Sequence, residues 1–170
     1  LQYPNYTDTI GLISSNRLFL FHHFKELEYN GIADGIFIGT NQCCQTHFDA
    51  DLKAKENIEV DISLEAEQMD HPAGILFYIW LPTLDHQAPA PAQLDFGVAA
   101  LEKFVAMKKR IYVHCQLGHG RAPTLVAAYL IRQGKKVDEA IDFITGKRPV
   151  IHLEEAQKQV LASFFKQRKN

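Results

Sequence analysis

From residue 35 onward, short apolar runs alternate with apolar positions spaced as on a helix face. Gly35-Ile-Phe-Ile-Gly39 is an apolar run bounded by glycines and predicts a buried strand. Ile58-Glu-Val-Asp-Ile62 alternates apolar and polar residues, the pattern of a half-buried strand. Ile75 to Leu81 is almost continuously apolar, as a central strand covered on both faces would be. Arg110-Ile-Tyr-Val-His114 predicts a further strand. Residues 44–55 read as helical. Leu94, Val98, Leu101 and Val105 recur at helical spacing. Ala122 to Arg132 predicts a helix that stops before Gly134, a candidate C-cap. Val137 to Ile144 predicts a short helix closed by Gly146 and Pro149. A last helix places Ala156, Val160, Leu161, Phe164 and Phe165 on one face and ends in a solvated Lys166–Asn170. Three prolines in the segment Pro82 to Pro91 exclude regular structure from most of it.

Residues 1–34 are less patterned. Leu18-Phe19-Leu20-Phe21 is apolar, and His22 and His23 follow it. The stretch reads as a lead-in or covering strand packed on the domain, or as a membrane-contacting edge. The organisation is thus a lead-in over 1–34 and one domain over 35–170. Alternating strands and helices imply an α/β fold, a mainly parallel sheet with helices on its faces. Ligands of such sheets bind beyond the C-terminal ends of the strands. Cys115 falls at one such end and Asp85 just beyond another.

Composition narrows the classes. A length of 170 residues suits one domain, and 46% hydrophobic with 22% charged residues is the balance of a soluble globular protein. A net charge of -2 and a pI near 6.5 give no global attraction to nucleic acid or anionic membranes, so any anion site is built locally. No apolar run approaches the ~18 residues of a membrane-spanning helix. The first residue is Leu1, not Met, which reads as a processed or excised protein. Three cysteines, Cys43, Cys44 and Cys115, do not make a disulfide framework, and a reducing, cytoplasmic setting is the simpler reading.

The informative segment is His114-Cys-Gln-Leu-Gly-His-Gly-Arg121. A strand ends, a glycine-containing loop turns and a helix begins. Such a loop can aim successive backbone N–H groups inward as an anion cradle, and the helix behind it adds its positive end. Gln116, Leu117, Gly118, His119 and Gly120 would surround the anion, and the planar fork of Arg121 would grip two of its oxygens. The same environment favours a nucleophilic thiolate, so Cys115 would attack a phosphate in line and form a cysteinyl-phosphate that water later hydrolyses. A carboxylic acid must then protonate the leaving oxygen. Asp85 is the best placed by sequence; Asp95 lies in the first turn of a helix, where capping explains it. The chemistry needs no metal and no cofactor.

Cys-x5-Arg alone is a weak signal. The preceding His114, the glycines at 118 and 120, and the strand–loop–helix setting make it specific. The segment resembles the signature of the cysteine-based protein tyrosine phosphatase superfamily, most closely its compact dual-specificity branch. Ile79-Trp-Leu-Pro-Thr-Leu-Asp85 resembles the strand and general-acid loop of that branch. Tyr129-Leu130 to Gly134, Glu139-Ala140-Ile141, Arg148-Pro149 and Gln157 resemble its later helices. The resemblance covers about residues 31–166. It implies a four- or five-stranded sheet flanked by helices and phosphate monoester hydrolysis without a cofactor. One departure stands out: the family usually has Ser or Thr after the arginine, and this chain has Ala122. That hydroxyl helps stabilise the departing thiolate, so its absence predicts slower breakdown of the phosphoenzyme. Thr124 would replace it only if the helix start were displaced.

Each remaining candidate has a plainer alternative. His114 is expected to support the loop by hydrogen bonding it, or simply to end a strand. His119 faces substrate or solvent. Lys147 and Arg148 are candidates for a second anion site on the rim; otherwise they are a solvated basic pair, with Arg148 bonding backbone carbonyls. Gln157 reads as structural. Cys43 and Cys44 are either a resolving thiol or small apolar residues of a helix start. His22-His23 lacks the further ligands that a metal needs. The expected substrate is phosphotyrosine, phosphoserine or phosphothreonine in proteins, with a phospholipid or inositol phosphate as the alternative. The absence of Lys and Arg at 116, 117 and 119 counts against a highly anionic inositide. A further alternative is a phosphate-binding module with weak turnover. Partners are then a phosphorylated protein or phospholipid, not nucleic acid, and the chain is expected to be a monomer.

Overall fold

The computed structural model describes residues 28–41, 52–70, 72 and 74–167. Leu18–Phe21, His22, His23, Cys43, Cys44, most of the expected 44–55 helix and residues 168–170 lie outside the described residues.

Among the described residues five strands make one sheet: β1 Tyr29–Ala33, β2 Ile36–Gly39, β3 Val60–Glu65, β4 Phe77–Thr83 and β5 Ile111–His114. Their order is β1-β2-β5-β3-β4. β2, β5, β3 and β4 run parallel, and β1 pairs antiparallel with β2. Among the described residues there are four full helices, α1 Pro91–Ala106, α2 Arg121–Arg132, α3 Val137–Lys147 and α4 Glu155–Gln167, besides a three-residue helical turn at Ala54–Glu56. The fold is thus the α/β arrangement expected, a five-stranded, mostly parallel sheet flanked by helices. Among the described residues no helix is long and apolar enough to cross a membrane.

Several boundaries differ from the sequence pattern. β1 lies within the segment read as a lead-in. It joins β2 through Asp34 and Gly35, at φ 52° and 80°, a tight turn between antiparallel strands. β3 runs to Glu65 and is buried along its whole length, because β5 and β4 cover both its edges. β4 reaches Thr83 and includes Pro82, which is tolerated because β4 is an edge strand that needs no donor on its open side. The irregular segment after it therefore shrinks to 84–90. Gly146 does not stop α3; it lies inside the last turn. On α4 the buried face is Gln157, Leu161 and Phe164, and Ala156 is exposed.

The core explains where the site falls. α2 is buried from Arg121 to Ile131 and packs against the sheet and against α1, α3 and α4. Ile36, Ile38, Ile62, Leu64 and Val113 meet Leu125, Val126 and Leu130 in the same apolar cluster. β5 is the central strand and α2 the central helix. The loop that joins them is thus held from both sides, with the ends of β2 and β3 beside it.

Candidate active site

Cys115 follows β5 directly and is 3% exposed. Between it and α2, five consecutive carbonyls are each taken by a donor. Gln116 O accepts from Asn41 N at 3.0 Å. Leu117 O accepts from Arg148 Nη2 at 3.1 Å, and Gly118 O from Arg148 Nε at 3.0 Å. His119 O accepts from His152 N at 3.0 Å, and Gly120 O from Thr124 N at 2.9 Å. In a planar trans peptide the N–H points opposite to the C=O. The N–H groups of residues 117–121 therefore point away from those partners, and Leu117, His119, Gly120 and Arg121 line the pocket. Such a row of donors, with the N-terminus of α2 behind it, is of the kind that can cradle an anion. Gly118 makes the turn possible: its φ is +65°, and a Cβ there would stand 2.4 Å from Gly39 O.

The pocket is lined by Cys115, Gln116, Leu117, His119, Gly120, Arg121 and Asp85, all anticipated, and by His86, His152, Glu154 and Gln157. Gly118 lies behind it. Lys147 and Arg148 do not line it. Lys147 is exposed elsewhere on α3, and Arg148 is 2% exposed behind the loop. Its guanidinium is committed to the Leu117 and Gly118 carbonyls and to Asn30 Oδ1 at 2.8 Å. Arg148 thus bonds the loop from outside, which is the alternative in which it meets backbone carbonyls, and neither residue lines the pocket.

Arg121 is buried, and its guanidinium edges the pocket. Nη1 donates to Glu67 Oε2 at 2.7 Å and to Thr83 O at 2.8 Å, and Nη2 lies 3.2 Å from Asp85 Oδ1. Glu67 also accepts the Asp85 N–H at 3.1 Å. Partial burial pushes the Glu67 carboxyl up, but the Arg121 guanidinium prevails and holds it below its ordinary value. Sequence reading missed Glu67. The signal was available, because residue 67 lies just beyond the C-terminal end of β3, where such sheets place ligands. Asp85 is half exposed, and its Oδ1 accepts from the following N–H, that of His86, at 3.0 Å.

His114 differs from expectation. Its ring turns away from the loop: Nε2 is 3.2 Å from Asp61 Oδ1 and 3.4 Å from Asp70 Oδ2, and Nδ1 has no hydrogen-bond partner among the described residues. Burial opposes its charge, yet Asp61, Asp70 and Glu65 raise its pKa above the ordinary 6.5. Glu65, itself raised by burial, accepts from Asn41 Nδ2. Gln157 is buried and does more than fill space. It accepts from Glu154 N and donates to Gln87 O, both at 2.9 Å, tying the Asp85 loop to α4. Ala122 is buried in the core. The Thr124 hydroxyl does not replace the missing one, since it donates to Gly120 O at 2.8 Å.

The sheet order, a buried cysteine directly after the central strand and an arginine opening the next helix are the arrangement of the compact dual-specificity branch of the cysteine-based phosphatase superfamily. The family model "Dual specificity phosphatase, catalytic domain" matches residues 36–167, and the chain belongs to that family. Among curated proteins it is 39% identical over 88 residues to human phosphatidylglycerophosphatase and protein-tyrosine phosphatase 1, covering 51% of this chain and 40% of that protein. It is 32% identical over 89 residues to Arabidopsis thaliana phosphatidylglycerophosphate phosphatase PTPMT2, covering 51% and 39%. It is 30% identical over 92 residues to human dual specificity protein phosphatase 1, covering 53% and 25%. The matched region thus spans two fifths or less of each of these relatives. Among solved structures, PTPMT1 superposes with a TM-score of 0.75 at 28% identity, covering 84% of this chain and 96% of that one. Human DUSP28, at 19% identity and a TM-score of 0.73 over 84% and 95%, shares the fold.

Proposed function

We propose that this chain hydrolyses phosphate monoesters with Cys115 as nucleophile, Arg121 as phosphate clamp and Asp85 as acid and base. The observation that carries the reading is the row of five carbonyls fixed outward around a buried cysteine, which leaves N–H groups 117–121 for the equatorial phosphate oxygens. Those oxygens take over the guanidinium contacts that Glu67 and Asp85 now hold. Sγ attacks phosphorus as the P–O ester bond breaks, and the departing oxygen receives a proton from Asp85. Water then attacks the cysteinyl-phosphate and gives a proton back to Asp85. Inorganic phosphate leaves, and the thiolate is restored.

The substrate class we favour is a lipid headgroup carrying one phosphate monoester, of the phosphatidylglycerol phosphate kind. Two of the curated relatives are named for that activity. The cradle's variable positions Gln116, Leu117 and His119 carry no lysine or arginine for a second phosphate. Leu84, beside Asp85, and Leu117 in the cradle are 66% and 39% exposed, so apolar surface adjoins the pocket.

A panel at one pH tests this, with phosphatidylglycerol phosphate, a phosphoinositide, and phosphotyrosine and phosphothreonine peptides. The lipid monoester should give the highest kcat/KM, and Cys115→Ser should abolish hydrolysis of all of them. A phosphopeptide preferred by tenfold or more would replace the lipid reading with a protein phosphatase. Activity that survives Cys115→Ser would overturn the mechanism.

A further inference from the structure

The segment that carries Asp85 is fastened at several points. At its far end Gln93 accepts from Ala90 N and donates to Pro82 O, both at 2.9 Å. In its middle Gln87 O accepts from Gln157. These bonds are neutral and do not change with pH. The fastening beside Asp85 is of another kind. His86 sits at φ 59°, in the left-handed region that non-glycine residues seldom occupy. In that conformation its ring bridges two carboxylates. Nδ1 lies 2.9 Å from Glu154 Oε1, and Nε2 lies 3.5 Å from Asp85 Oδ2. Glu154 is fixed in turn, because its N–H donates to Gln157 Oε1. Nothing in the phosphoryl-transfer steps requires His86 or Glu154, yet both line the pocket.

We propose that His86 and Glu154 are a positioning pair for Asp85, the charged ring holding the acid loop against the start of α4. The inference rests on reading Asp85 as the proton donor. The charged groups that act on the ring are Asp85 on its own loop, Glu154 ahead of α4 and Arg121 at the start of α2. The hydrogen bond to Glu154 is the largest influence, Asp85 adds to it, and together they outweigh Arg121. The ring therefore keeps its proton above the ordinary value of 6.5. The fastening is complete from 6.5 down to the acid range in which carboxylates take up protons, and it is lost as pH rises through the raised value of the ring. Its chemical consequence depends on the leaving group. An alkoxide cannot leave without the proton from Asp85, whereas a nitrophenolate can.

The test uses the full chain and two variants, His86→Asn and Glu154→Gln. Asparagine accepts the left-handed backbone, so the first removes the ring without adding strain. kcat/KM is measured across pH for glycerol phosphate and for 4-nitrophenyl phosphate. In both variants the ratio of alkyl to aryl activity near neutral pH should fall about tenfold, a part of the 10²–10⁴ that general acid catalysis supplies. In Glu154→Gln the alkaline fall of the alkyl profile should also move to lower pH. Ratios and profiles that superimpose on the parent's would overturn the proposal. If the parent shows no Cys115-dependent turnover, the proposed function fails instead. The pair is then judged by the NMR titration of the His86 ring. A midpoint above 6.5 that drops in Glu154→Gln supports it, and one that does not move overturns it.

Discussion

Arg148 carries more of the site's architecture than any residue outside the cradle. It is an arginine almost sealed from water, with three of its nitrogens spent on two loop carbonyls and one asparagine. Replacing it by methionine keeps the buried stem and strands those acceptors. A buried polar group left unpaired costs roughly 1–3 kcal/mol. Arg148→Met should therefore lower unfolding stability by on the order of 3 kcal/mol. It should also weaken vanadate binding, because the carbonyls of 117 and 118 would no longer be pinned outward. Denaturant unfolding and a vanadate titration check both; unchanged anion affinity would mean that the cradle holds its shape without Arg148. The sequence marked this arginine by resemblance but did not show which way its side chain faces. The chain path from α3 to α4 sends it behind the loop, and no local pattern encodes that path.

The elements that position the site were legible where their signals are local. β5 and α2 could be read from an apolar run, a glycine-containing loop and a helical apolar pattern, and the structure places them at 111–114 and 121–132. β1 was not legible. Tyr29-Asn-Gly-Ile-Ala33 is interrupted by a glycine, lies at the sheet edge and takes its strand form by pairing with β2. Pro82 argued for a loop because a proline breaks a ladder, but an open edge removes that objection. Gly146 argued for a helix end, and α3 passes through it because Ile144 and Ala140 anchor the helix in the core. Cys115 and Arg121 were read from their spacing and Asp85 from the strand it follows, and all three line one pocket. Glu67 was legible only from its place just beyond β3, whereas Asp61 within β3 and Asp70 in the loop beyond it reach His114 from positions distant in sequence, so spacing carried no trace of those two.

The whole molecule holds an imidazole and carboxylates together beneath its cradle, and this makes stability depend on pH. Folded His114 keeps its proton more tightly than the unfolded chain does, because Asp61, Asp70 and Glu65 outweigh the penalty of burial. Glu65 is also raised, chiefly by burial. A group raised on folding stabilises fully below its unfolded value and loses that contribution as pH rises through its folded value. The His114 contribution is therefore complete below 6.5 and is lost as pH rises from there through the raised folded value. Melting temperature should fall as pH rises above 6.5, and the fall should be smaller in His114→Gln; parallel curves for the two proteins would remove His114 as the cause. Ala122 stands where the family it resembles usually has a hydroxyl, so the proposed phosphoenzyme is expected to persist. The most direct test is intact-protein mass spectrometry after rapid acid quench of a reaction with 4-nitrophenyl phosphate. The predicted result is one phosphoryl group on Cys115, absent in Cys115→Ser and less abundant in Ala122→Ser. Steady turnover with no adduct on Cys115, persisting in Cys115→Ser, would contradict the cysteinyl-phosphate route.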